Sequence, residues 1–415
     1  MSRASPWAGS KESEDLPRLS SASQSSLRPV YESQRPAFLD RNIFKTMREH
    51  IPTRLFSNRR LFLAGLATLF VIILVSAAKT GSQPPIVLAV SAAANRTLGF
   101  GSIKMISLPI RQDKADAATV QSFLSNIDIQ IVEGVNGSRL GEVGLPPSSI
   151  PDIEPGQALS AGEKGCWRSH ANVWRGLLHT DVDTVLIMED DVTWDIHIKD
   201  VMRLAASHLP GLLNGTGLLG LNPTRSSEEQ AQVDPWHSNM WDLITFGHCA
   251  DGDQWKSEKV KYDDPYTSGE HGEWHGEWHG VGVKGGRRML RRAGGMACTG
   301  AYAVSARGAA KLLLRSGFDL NLPVDVIMND MIKSDQLRAY SIWPPPVVQW
   351  RYRDKLGMWG AMGSDIRVEH KDKDRSGWED AHNNHDIWLL KGETKGLKDP
   401  AIKSAWGVLI GHEDD

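Results

Sequence analysis

Apolar and polar positions change pattern twice along this chain. Up to residue 60, Ser, Arg and Glu recur with no periodic apolar spacing, which predicts a mostly disordered tail. Residues 61–78 are then an uncharged apolar run of 18 residues. As a helix this run spans about 27 Å, enough for a thin secretory-pathway bilayer. From about residue 100, short apolar runs alternate with helical spacings. Strands are predicted at 103–108 and 129–132, with a helix at 115–124 between them. Ser160-x-x-Glu163 is a capping-box pattern, and Trp167, Ala171, Trp174 and Leu178 follow at helical spacing, so a helix begins near Ala161. Val185-Leu-Ile-Met188 reads as a strand buried on both faces. A helix at 196–209, strands at 217–221, 241–246 and 299–304, a helix capped by Ser305 and stopped at Gly317, and a helix start at Pro323 complete the pattern. Residues 340–348 read as an extended segment, and the polar stretch from about 351 shows few strong elements. This alternation predicts an α/β fold with a mostly parallel central sheet.

The pattern divides the chain into a tail at 1–60, a transmembrane helix at 61–78, a stem at 79–100, a main domain at 101–366 and an extension at 367–415. The apolar run starts too far from the N-terminus for a cleaved signal peptide. Arg54, Arg59 and Arg60 precede it and only Lys79 follows closely, so the positive-inside rule places the N-terminus in the cytosol and the rest in the lumen. A buried core helix is the other reading of such a run. Asn-x-Ser/Thr triplets at Asn95, Asn136 and Asn214 accord with a lumenal domain. Cys166, Cys249 and Cys298 allow one disulfide and a spare thiol, or buried reduced cysteines, but no disulfide scaffold. A net charge of −3 lacks the basic excess of a nucleic-acid binder. Between 250 and 297 periodicity is lost, and Glu273-Trp-His-Gly276 is repeated at once as Glu277-Trp-His-Gly280. His271, His275 and His279 have the spacing of helix-borne metal ligands, but the glycines favour a low-complexity surface insertion.

Chemistry concentrates where the buried strand ends, at Glu189-Asp190-Asp191. Carboxyl ends of strands are where open α/β sheets bind ligands. Three adjacent carboxylates repel one another, and a divalent cation with hard oxygen ligands relieves that repulsion. A polar turn is the plainer reading of an isolated Asp-Asp; the apolar strand in front of it favours a metal. The Gly134 to Gly137 segment is either a structural turn or a loop approaching a nucleotide. His170 taken alone reads as a hydrogen-bonded structural histidine, and Asp325 as an acid favoured at a helix start.

Gly162-Glu-Lys-Gly-Cys-Trp-Arg-Ser-His170, Val185-Leu-Ile-Met-Glu-Asp-Asp191, Ala301-Tyr-Ala-Val-Ser-Ala-Arg-Gly-Ala-Ala-Lys-Leu-Leu and Leu322-Pro-Val-Asp325 resemble, in order and spacing, glycosyltransferase family 25. That family includes bacterial lipopolysaccharide glycosyltransferases and animal collagen galactosyltransferases. The resemblance covers roughly residues 102–366. It implies a GT-A-like nucleotide-sugar fold, a UDP-sugar donor, a glycan or glycoprotein acceptor, and Mn²⁺ or Mg²⁺. Golgi or ER residence with a lumenal domain accords with it. By this resemblance Asp191 is the expected metal ligand, helped by Glu189 and Asp190, and Asp325 is the expected catalytic base or supporting acid. Arg111, Asp113 and Gly137 are expected on the nucleotide side, and Ser169 and His170 match the family's Ser-His pair. His248 and His370 are candidates for a further ligand, with structural roles as the plainer reading. A non-catalytic lumenal binding protein of the same fold, and a His-rich metal buffer, are the alternative functions.

Overall fold

The computed structural model describes residues 92–150, 158–215, 234–251, 258–268, 286–358, 365–366, 373–383, 387–390 and 396–411. All of them belong to the compact unit Gly81–Asp415. The expected tail and membrane span, most of the stem, the strand at 217–221, the Glu-Trp-His-Gly repeat and His370 lie outside the described residues. Among the described residues no helix is long and apolar enough to cross a membrane.

In chain order the first half comprises β1 (Ser102–Ser107), α1 (Gln112–Ser125), β2 (Ile129–Glu133), α2 (Ala161–Leu177), β3 (Thr184–Glu189), β4 (Val192–Trp194) and α3 (Ile198–Gly215). The second half comprises β5 (Leu243–Gly247), β6 (Lys259–Asp263), β7 (Arg287–Arg292), β8 (Ala301–Ser305), α4 (Ala306–Phe318), α5 (Val324–Lys333), β9 (Ala339–Trp343), β10 (Val347–Tyr352), α6 (Trp378–Asn383), β11 (Trp388–Leu390) and α7 (Ala401–Leu409).

Eight strands form the main sheet in the order β2-β1-β3-β8-β5-β9-β7-β6. β1 pairs in parallel with β2 and β3, and β5 with β9. β8 runs antiparallel between β3 and β5, and β7 antiparallel between β9 and β6. Six of the eight strands therefore share one direction, as a mostly parallel sheet requires, with β7 and β8 reversed.

β3 is buried on both faces because successive side chains alternate across the sheet. Leu186 and Met188 enter one core with Ile103, Met105, Trp194 and Phe246. Val185 and Ile187 enter the other, with Trp167, Trp174, Tyr302 and Val304. Burying each such aliphatic side chain contributes about 1.5–3 kcal/mol, which fixes β3 as the rigid centre of the domain.

α2 begins where the capping box places it. The Ser160 hydroxyl accepts a hydrogen bond from the Glu163 N–H, and the Glu163 carboxylate accepts one from the Ser160 N–H. Its apolar stripe ends on Leu177, which is buried, and Leu178 is exposed. α4 is capped by Ser305, whose hydroxyl accepts from the Gly308 N–H and donates to the Trp241 carbonyl. It runs through Gly317 to Phe318, since one glycine in a helix costs only about 1 kcal/mol.

The extended segment at 340–348 resolves into the end of β9 and the start of β10, with the Trp343-Pro344 peptide cis at the corner. β10 leaves the main sheet and pairs antiparallel with β4 and β11 in a second, three-stranded sheet. The C-terminal part, with few elements expected, adds β11 to that sheet and packs α7 against α1 and β4. Neither is legible as a pattern, because a three-residue strand has no period and α7 leaves Trp406, Val408 and Leu409 exposed. Cys249 and Cys298 form a disulfide, and Cys166 is free.

Candidate active site

A cavity of about 360 Å³ lies at the carboxyl ends of β1, β2 and β3, walled by the first turn of α2. The Glu189-Asp190-Asp191 turn carries the chain from β3 in the main sheet to β4 in the second, so these acids sit between two sheets. The Trp350 N–H donates to the Asp191 carbonyl and ties the turn to β10.

Glu189 and Asp190 diverge. The Glu189 carboxylate accepts from the Thr299 hydroxyl at 2.5 Å and lies 3.5 Å from His170 Nε2. Burial favours its neutral form, but His170, Thr299 and Lys114 outweigh it and hold the carboxyl below its usual range. Asp190 turns to the opposite wall. One of its oxygens accepts from the Ser107 hydroxyl at 2.8 Å and the other lies 3.0 Å from Lys114 Nζ. Burial pushes the Asp190 carboxyl up, with the Lys114 ammonium and Ser107 pulling it down.

Lys114 also pairs with Asp365 at 2.6 Å. Burial works against its charge, but Asp191, Asp190 and Asp365 together hold its pKa above the usual value. One ammonium thus serves three carboxylates, which explains why the lysine is held charged while Asp190, with one cation and Asp365 nearby, is not held equally ionised. The cation demanded by three adjacent acids is supplied in part by the protein itself.

Gly137 and Ser169 shape the cavity. A Cβ on Gly137 would lie 1.6 Å from the Ala161 carbonyl oxygen, so only glycine lets the loop after β2 rest on the first turn of α2. The Ser169 hydroxyl donates to the Gly165 carbonyl and accepts from the Val135 N–H, pinning the same loop. His170 is buried, with Nδ1 2.8 Å from the Tyr302 hydroxyl, which also accepts from Trp174 Nε1 at 2.9 Å.

Glu189, Asp190, Asp191, Gly137, Ser169 and His170 therefore share one cavity. Arg111 and Asp113 do not line it: they pair with each other, Arg111 also pairs with Asp365, and Asp113 accepts from the Tyr352 hydroxyl. Asp325 does not line it either. In the first turn of α5 it accepts from the Cys298 and Val326 N–H groups. It is linked to the cavity through Cys298 and Thr299, the next residue, whose hydroxyl reaches Glu189. His248 is buried and lies against Trp343.

The sequence reading missed Lys114, Asp365, Ser107, Thr299 and Cys166, all at or touching this cavity. Lys114 carried a signal, since it stands close to Arg111 and Asp113, and of the three it alone lines the cavity. Asp365 carried none, being 251 positions from the lysine it meets.

The cavity presents groups that complement a phosphate-bearing ligand, the amide end of α2 and the Lys114 ammonium, beside carboxylates of the kind that hold hard cations. Three similarities to known proteins bear on this geometry. The sequence model of glycosyltransferase family 25 (LPS biosynthesis protein) matches residues 101–328. Procollagen galactosyltransferase 2 of Homo sapiens is 24% identical over 250 residues, covering 59% of this chain and 32% of that protein. A protein of Bos taurus named probable inactive glycosyltransferase 25 family member 3 is 25% identical over 320 residues, covering 75% of this chain and 45% of that protein. The matched stretch spans about a third of the length of the galactosyltransferase.

Proposed function

The chain belongs to glycosyltransferase family 25, and from that premise we propose that it transfers a hexose, galactose, from a UDP-sugar to a glycan or glycoprotein acceptor in the secretory pathway. The observation that carries this reading is the convergence of Lys114, the first turn of α2 and the Asp190-Asp191 turn on one cavity at the strand ends. The Cys249–Cys298 disulfide supports an oxidising compartment. Type II placement in a Golgi or ER membrane rests on the apolar run at 61–78 and its flanking arginines.

The donor set suits Mn²⁺ or Mg²⁺, since Asp190 and Asp191 supply hard carboxylate oxygens. Asp191 lines the cavity beside Asp190 and is the acid the family resemblance assigns to the ion, so it is the residue proposed to hold it, with Asp190 anchored by Ser107 and Lys114. When bound, the cation neutralises charge developing on the diphosphate leaving group. Lys114 and the α2 amides orient the phosphates, with Gly137 and Ser169 keeping the loop after β2 clear of the donor. Asp325, outside the donor cavity and fixed by two backbone N–H groups, is assigned either as the base on the acceptor side or as an acid supporting the Cys298–Thr299 segment behind Glu189. Arg111 and Asp113 brace this wall through Asp365 and Tyr352.

The test is UDP release by the full chain with Mn²⁺ across common UDP-sugars, with and without acceptors. Asp191→Asn should lower metal-dependent turnover at least ~100-fold, several kcal/mol of lost charge stabilisation, and leave the unfolding transition in place. A second reading, a non-catalytic protein of the same fold, is favoured by the inactive family members that align with 75% of the chain. UDP binding without UDP release from any donor would establish that reading instead.

A further inference from the structure

We infer that Cys166, His170 and Glu189 form a binding site for a thiophilic divalent metal of the Zn²⁺ class, distinct from the carboxylate site assigned to Asp191. Cys166 and His170 stand one turn apart on α2, so their side chains share a face. Glu189 meets them from the end of β3. Their donor atoms, Sγ, an imidazole nitrogen and a carboxylate oxygen, all lie within 4.8 Å of one another. Two nitrogen or oxygen ligands about 2.0–2.1 Å from a tetrahedral zinc lie about 3.3 Å apart, and His170 Nε2 is 3.5 Å from the Glu189 oxygen. A zinc-bound sulfur lies about 3.5 Å from such neighbours, so from separations within 4.8 Å the Cys166 side chain closes the set by movement of up to about 1.3 Å.

The surroundings hold two of the ligands in place. The Tyr302 hydroxyl engages His170 Nδ1, leaving Nε2 to face Glu189, and Trp174 Nε1 donates to the same hydroxyl. The Thr299 hydroxyl orients Glu189. Such outer partners set imidazole orientation in metal sites and are worth roughly 10–100-fold in affinity. One sulfur, one nitrogen and one oxygen favour Zn²⁺ or Co²⁺ over Mn²⁺ and Mg²⁺. All three ligands line the cavity, which leaves the fourth position open to it. The site does not depend on the chain's being a transferase.

Cobalt tests it, because a Co²⁺–thiolate bond gives a charge-transfer band in the near ultraviolet that imidazole and carboxylate ligands do not. Any Co²⁺ taken up by the chain's other histidines, those of the Glu-Trp-His-Gly repeat included, gives no such band, because imidazole is not a thiolate. Of its three cysteines, two are joined in the disulfide, so a band reports Cys166. The metal-stripped full chain, titrated with Co²⁺ without reductant, should develop the band to one equivalent. Zn²⁺ should abolish it, and excess Mn²⁺ should leave it. Cys166→Ser should remove the band, Tyr302→Phe should weaken cobalt binding roughly 10–100-fold, and Asp191→Asn should retain it. No band in the wild-type chain at saturating Co²⁺, a band surviving in Cys166→Ser, or displacement by equimolar Mn²⁺ would each overturn the inference. The wild-type titration decides the matter even if a variant fails to fold.

Discussion

Replacing Lys114 by Met removes the ammonium shared by Asp190, Asp191 and Asp365 while keeping the length of the buried stem. The Lys114 side chain is 4% exposed, and it meets Asp190 at 3.0 Å and Asp365 at 2.6 Å. Removing one partner of a buried ion pair costs about 3–5 kcal/mol, because the carboxylate left behind is neither hydrated nor paired. Asp190 is 10% exposed and bears that cost nearly in full, whereas Asp365 is 24% exposed and recovers part of its hydration. The expected loss is therefore near the lower end, about 3 kcal/mol, read from urea unfolding of the full chain. Lys114→Met combined with Asp190→Asn should lose less than the sum of the two, with a coupling of about 1–3 kcal/mol. Mn²⁺ should recover the single variant more than it stabilises the wild-type chain, since the variant leaves more negative charge for the ion. For scale, a ligand at 100 times its Kd adds about 2.7 kcal/mol. A loss below about 1 kcal/mol, additive double-variant energies, or equal Mn²⁺ effects would refute the picture of Lys114 as the cluster's own cation.

Two further outcomes follow from the frame around the site. The disulfide closes a loop with a sequence separation of 49, worth about 4 kcal/mol in chain entropy; the Cys249→Ser, Cys298→Ser double variant should lose roughly 2–4 kcal/mol in urea unfolding, and a chain indifferent to verified reduction would contradict this. Burial works to raise the Asp242 carboxyl, but Lys311, the Arg338 N–H and Arg307 hold it below its usual range. Its folded pKa being depressed, it contributes stability that is fully present above about pH 4 and lost as pH falls toward the folded value. Asp242→Asn should cost about 1–3 kcal/mol at neutral pH, and the gap to wild type should close on acidification; a gap constant down to pH ~3 would show that the charge plays no part.

Much of the site's frame is legible in the sequence because it depends on neighbours in the chain. The capping box at Ser160 and Glu163 fixes where α2 starts, and four apolar residues before Glu189 fix where the acids leave the sheet. Ser169 and His170, set by the helix, fall on the cavity side with Cys166. Strand direction is not legible in the same way, since β7 and β8 have the same two-residue period whichever way they run.

The sequence by itself determined that a buried strand delivers Glu189-Asp190-Asp191 to its carboxyl end, one helix after a capped turn, because these are local consequences of burial and backbone hydrogen bonding. Only the tertiary structure decided what those acids meet. It parts them among Thr299, Ser107 and Lys114, joins Cys249 to Cys298, and brings Asp365 to a lysine 251 positions away. Periodicity reports which face a residue buries but not which distant residue lies across it, and the chemistry of this cavity is set by those distant partners.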